Sequence, residues 1–177
     1  MLRRRAVRHA RAWSWALLVL SGALLTPRVA QGQPGVQSVL GPSVLVLPIR
    51  PLDFQSVLPG IGKSIDPREH GGILEFRGDP SRQIRITLAL PPVIVTSGGV
   101  FMPITYGTSD AILSTALNPA IGTRFDPNAA RVACFNPSSG ALFLFLGGRV
   151  LPRPTQQRGI YNGTVVANVT YTGAPCP

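Results

Sequence analysis

Turn-forming residues cut this sequence at short intervals, and long helices have little room between the cuts. Pro59-Gly60, Gly71-Gly72, Gly78-Asp79-Pro80, Ser97-Gly98-Gly99, Asn118-Pro119, Asp126-Pro127-Asn128, Ser138-Ser139-Gly140 and Gly147-Gly148 all fall between apolar runs. Proline fixes φ, glycine admits positive φ, and Asn, Asp and Ser bond their own backbone, so each group favours a reversal. With 18 prolines and 19 glycines in 177 residues, short strands fit between the breaks better than long helices.

Two runs show the strand period clearly. Gln83 to Leu90 places Ile84, Ile86, Leu88 and Leu90 on one face, with Gln83, Arg85 and Thr87 opposite. Thr164 to Tyr171 places Val165, Ala167, Val169 and Tyr171 on one side, with Thr164, Asn168 and Thr170 on the other. A period of two predicts strands with one side buried. Ala141 to Leu146 is apolar on both faces, which predicts an interior strand covered from each side. Shorter β-branched or aromatic runs occur at 44–49, 73–76, 93–96, 100–106 and 131–135. Ser109 to Leu117 is the one segment that could begin as a helix, with Ser109 as its cap. Several short strands at this spacing predict a sandwich or a barrel.

The first 32 residues follow another logic. Arg3, Arg4, Arg5, Arg8 and Arg11 precede an uncharged apolar stretch of 13 residues, Trp13 to Leu25. Thr26, Pro27 and Arg28 end it, and Ala30-Gln31-Gly32 supplies small residues. That order is the layout of a cleaved secretory signal, with an uncleaved anchor as the alternative. A spanning helix needs about 20 apolar residues, so the stretch is short for an anchor. The expected division is 1–32 signal peptide, 33–48 extension, 49–173 sandwich and 174–177 tail.

Charge follows from the same segment. The formal net charge is +10, but residues 1–32 hold six arginines and no acid. Removing them leaves 11 basic and 7 acidic residues, a net of +4. That balance is ordinary for a folded domain and argues against nucleic acid as the partner. Export also changes how Cys134 and Cys176 read. Two cysteines with none left over are a disulfide candidate in an oxidising compartment, against the alternative of two free thiols.

A wider pattern then emerges. Pro51-Leu52-Asp53-Phe54 is followed by Gly78-Asp79-Pro80, which leads into the Ile84–Leu90 strand. Next come Gly147-Gly148 with Val150-Leu151, and finally Gly159-Ile160-Tyr161-Asn162-Gly163-Thr164 running into Val169-Thr170-Tyr171. In this order and spacing the motifs resemble the bacterial exported family described as domain of unknown function 4402. That family is similar in style to spore coat protein U and to fimbrial subunits. The resemblance spans about residues 49–173. Gln55 stands where the family usually has glycine, and the cysteine pair is not a family hallmark.

The resemblance implies an immunoglobulin-like, pilin-like sandwich of mostly antiparallel strands at the bacterial surface or in the periplasm. In fimbrial relatives a neighbour's N-terminal extension supplies a missing strand, because an open edge beside an apolar groove is satisfied by strand addition. Here Val36, Ser38 and Leu40, or Val44 and Val46, have the alternate spacing of a donated strand. The competing expectation is that residues 36–47 form an ordinary first strand of a self-complete fold.

Residues for catalysis are sparse. Beyond residue 32 there is one histidine, His70, within Asp66-Pro67-Arg68-Glu69-His70-Gly71-Gly72. Asp66, Glu69 and His70 fit no metal spacing, and a solvated loop is the simpler reading. Ser138-Ser139-Gly140 lacks the first glycine of a nucleophile elbow and precedes a strand. No phosphate-binding glycine loop is present, and no cofactor is expected. Phe143, Phe145, Tyr161 and Tyr171 offer a sugar-stacking face or core packing, and Tyr161 between two glycines suggests a hydroxyl bonded to a turn. Arg82, Arg85, Arg149, Arg153 and Arg158 read as solvated surface.

Together these features predict an exported, non-enzymatic β-sandwich with a structural or adhesive role, resembling a pilus-like or coat-like subunit. Its partners would be copies of itself or other surface proteins, joined by strand addition, with no integral membrane segment once the signal is removed. The alternative is a monomeric periplasmic or extracellular module that binds a ligand or carbohydrate through its loops.

Overall fold

A computed structural model describes residues 43–176. The expected signal peptide and the first part of the expected extension, including Val36, Ser38 and Leu40, lie outside the described residues. The described chain is an all-β sandwich of twelve strands, β1 (Leu45–Arg50), β2 (Lys63–Ile65), β3 (Gly72–Arg77), β4 (Arg82–Ala89), β5 (Val93–Val95), β6 (Phe101–Thr105), β7 (Ala111–Ser114), β8 (Thr123–Phe125), β9 (Arg131–Cys134), β10 (Ala141–Leu146), β11 (Gly148–Val150) and β12 (Val166–Pro175). They form three antiparallel sheets, with orders β1-β3-β10-β7-β8, β2-β11-β6-β5 and β12-β4-β9.

The main core lies between the five-stranded and three-stranded sheets. Phe76, Leu142, Leu144 and Leu113 from one layer meet Ile84, Ile86 and Phe135 from the other. Leu88, Leu90, Val165, Ala167, Val169 and Tyr171 pack against this cluster, so both alternating faces are the inward ones the sequence predicts. Burying such side chains drives the layers together at about 25 cal/mol per Å² of apolar surface.

β10 is the interior strand its composition predicts, flanked by β3 and β7. Leu142, Leu144 and Leu146 enter the main core, whereas Phe143 and Phe145 turn to the other face. There the cross-strand register aligns Arg50, Ile73, Phe145, Ile112 and Arg124 in one row. An apolar centre is thus closed by an arginine at each end.

The expected helix at Ser109–Leu117 does not form. Its centre is β7, in which all four residues are buried between β10 and β8. Ile112 faces one side of the sheet and Leu113 the other, so burial on both faces decides for strand over a capped helix. The one helical element among the described residues is a 3-10 turn at Pro119–Ile121, capped by Asn118, whose Oδ1 accepts from the Ala120 N–H.

The upstream segment joins the chain's own sheet. β1 pairs antiparallel with β3, from Leu45 opposite Arg77 to Arg50 opposite Ile73, and runs through the join between residues 48 and 49. From Leu45 onward the segment thus pairs with the chain's own β3. At the far end β12 begins two residues later than the sequence suggests and continues past Tyr171 through a register shift to Pro175.

Candidate functional site

Two irregular segments, 51–62 after β1 and 151–165 after β11, fold towards each other over the four-stranded sheet. Both are rich in proline, glycine and polar turn residues, which explains why neither forms a strand of useful length. Backbone contacts hold them: Gly60 N–H donates to Arg153 O at 3.0 Å. Val95 and Asn162 exchange N–H···O bonds of 2.9 and 2.8 Å.

Between these segments runs a groove of about 920 Å³. Its floor is apolar, built from Phe54, Met102, Ile104 and Val150, a second buried cluster that also includes Ile65. Leu52 and Tyr106 pack against this cluster and against the main core, linking the floor to the sandwich. Leu58 is 65% exposed and Ile160 is 81% exposed, and both line the groove. Arg50, Asp53, Gln156 and Arg158 supply polar groups along its walls. The size matches small-ligand clefts, which span about 300–1,000 Å³.

Tyr161 fixes one wall. Its hydroxyl donates to Gln157 O and accepts from Gln156 Nε2, both at 2.6 Å, as the expectation of a turn-bonded tyrosine requires. Gln156 Nε2 also donates to Phe101 O at 3.1 Å, tying the wall to β6. Beside it, the Arg153 guanidinium stands 4.5 Å from the centre of the Phe101 ring. Tyr106 is partly buried below, and burial pushes its phenol up to about 12.

The opposite wall contains a strained residue. Gln55 has φ +53°, a left-handed conformation that favours glycine. Asp53 compensates locally, its Oδ1 accepting from the Gln55 N–H at 2.7 Å.

Several other residues singled out by sequence lie outside the groove. Cys134 and Cys176 are joined in a disulfide with a Cα–Cα distance of 5.9 Å. Phe145 is buried and Phe143 packs beside it on the outer side of the five-stranded sheet, whereas Tyr171 lies against Phe135 in the main core. These aromatics and Tyr161 therefore share no common face for stacking a sugar. Arg82 and Arg85 lie on β4 and Arg149 on β11, in different sheets.

The loop carrying His70 is fastened rather than presented. Arg124 Nη2 donates to both carboxylate oxygens of Asp66 at 2.8 and 2.7 Å. At the loop's other end Arg50 donates through Nε and Nη2 to Gly71 O at 2.9 and 2.7 Å. The two arginines that close the apolar row thus also hold the two ends of this loop. Among the described residues no three His, Cys, Asp or Glu side chains gather as a metal site.

Sequence reasoning did not find the groove, because Phe54, Ile104 and Val150 are far apart along the chain. One signal was present: Leu58, Ile61 and Ile160 are large apolar residues stranded among turn formers. Compared with known proteins, the chain matches no family model and no curated sequence.

Proposed function

We propose that this protein is an exported, non-enzymatic β-sandwich with an adhesive or structural role, and that the groove seats an extended apolar segment of a surface partner. The observation that carries this reading is an apolar floor whose rim leaves Leu58 and Ile160 standing in solvent. Exposed apolar side chains grouped around a cleft mark interaction sites more often than scattered ones do. An aliphatic rim without an exposed aromatic pair suits a peptide's side chains better than a sugar ring, which favours adhesion over the carbohydrate-module alternative.

Export is supported by the layout of residues 1–32 and by the disulfide, a bond that persists in oxidising compartments. Among the described residues no helix is long and apolar enough to cross a membrane. The motif resemblance to exported coat-like and fimbrial-like proteins points the same way.

The test uses anilinonaphthalene sulfonate as an apolar probe on the folded protein. Saturable binding that falls at least tenfold in Leu58→Asp/Ile160→Asp, with unchanged thermal unfolding, supports the reading. Absence of binding, or equal binding by the variant, overturns it. Retention on a glycan array that ignores the double substitution would instead favour the carbohydrate module.

A further inference from the structure

The edges of the three sheets are not alike. Edge strands expose unpaired N–H and C=O groups, and proteins blunt them with short length, charge or proline. Five of the six edges here follow that rule. β1 carries Pro48 and Arg50, while β2 and β8 have three residues each and contain Lys63 and Arg124. β5 has three residues and is partly met by Asn162, and β9 has four, beginning with Arg131.

β12 does not. It runs ten residues, Val166–Pro175, without a charged side chain and without proline before its last position. It pairs with β4 on one side, and no other described strand lies along its free edge. Its inward residues Ala167, Val169 and Tyr171 are only partly buried although they face the main core. On the neighbouring strand β4, Ile84 and Ile86 are 0% and 1% exposed. The core is closed in its middle and half-open along β12.

We infer that β12 is a homotypic docking edge, at which two copies pair their β12 strands antiparallel into one sheet of order β9-β4-β12-β12-β4-β9. A two-fold axis normal to the sheet keeps inward faces inward, so the partner's Ala167 and Val169 would extend the apolar layer over the half-open rim. Such an interface is isologous and closes at two copies. Because β12 is uncharged, the pairing sets no like charges opposite each other, a juxtaposition that normally discourages self-association of strands. The same neutrality gives the edge nothing with which to select a charged partner, which favours a second copy over a basic or acidic one. This contact is independent of the groove, so either can fail alone.

The experiment is sedimentation equilibrium of the oxidised protein across a concentration series, with amide hydrogen exchange at low and high concentration. The expected result is a doubling of mass with concentration, and added protection confined to residues 166–174. Asn168→Lys/Thr170→Lys alters two exposed outer-face positions and should hold the mass at one copy while leaving the circular dichroism unchanged. A single copy at every concentration overturns the inference, as does a dimer whose protection lies elsewhere. A monomer that dimerises only after residues 33–42 are deleted also overturns it, since the chain's own segment would then be the occupant of the edge. The exchange data keep the test decisive even if the double variant does not fold.

Discussion

Arg124 grips both carboxylate oxygens of Asp66, at 2.8 and 2.7 Å, and so ties strand β8 to the loop that precedes β3. Desolvation raises the Asp66 carboxyl, but the Arg68 N–H and the Arg124 guanidinium outweigh it and hold the group below the usual aspartate range. A lowered folded value means the charged form stabilises the fold above the unfolded value near pH 4, and that contribution is lost as pH falls through the folded value. Asp66→Asn should cost about 1 kcal/mol at neutral pH, since the pair is partly exposed and screened. It should also flatten the acid limb below about pH 4, as read by urea unfolding across pH. An unchanged acid limb would show that the pair is idle.

The disulfide closes around β4. Cys134 ends β9, one neighbour of β4, and Cys176 follows β12, the other, with the bulge after Tyr171 bringing the two together. Cys176 N–H also donates to Ser81 O at 3.2 Å, just before β4 begins. For a sequence separation of 42 residues, the entropy of the closed loop corresponds to about 4 kcal/mol. Reduction, or Cys134→Ala/Cys176→Ala, should lower stability by about 2–4 kcal/mol, measured by denaturant unfolding with and without reductant.

Tyr106 supplies an alkaline signature. Its phenol is raised by burial to about 12, so the folded state favours the neutral form. Stability conferred by the neutral phenol is present below the unfolded value near pH 10 and declines as pH rises from there towards the folded value. Tyrosinate absorbance should show one phenol titrating late, and Tyr106→Phe should remove that step and soften the alkaline loss. A titration identical in the variant would contradict the assignment.

Gln55 offers a gain rather than a loss. Its φ of +53° costs a side-chain-bearing residue about 1 kcal/mol relative to glycine, partly offset by the greater freedom glycine has when unfolded. Gln55→Gly should therefore raise stability by about 0.5 kcal/mol, with no change in the backbone turn closed by Asp53. Measured destabilisation would indicate that the Gln55 side chain contributes a contact of its own.

Where burial was one-sided, the fold was legible in sequence. The alternation in Ile84–Leu90 and in Val165–Tyr171 identifies the inward residues, because a strand's side chains take opposite faces in turn. Where burial is two-sided the signal fades. Ala111–Ser114 shows no period of two, and its flanking Ser109 mimics a helix cap, so β7 reads as the start of a helix. β2, β8 and β11 have three residues each, too few to establish any period. The disulfide followed from counting, whereas the groove is assembled from segments that only the folded topology brings together.

β10 and β11 are separated by Gly147 alone, and the two strands serve different sheets. Leu144 anchors β10 in the main core, and Val150 anchors β11 beneath the groove. Neither body can melt without pulling on the other's central side chains. The protein should accordingly unfold in a single cooperative step, with the cleft and the sandwich failing together, and whatever occupies the cleft would tighten the distant layers as well.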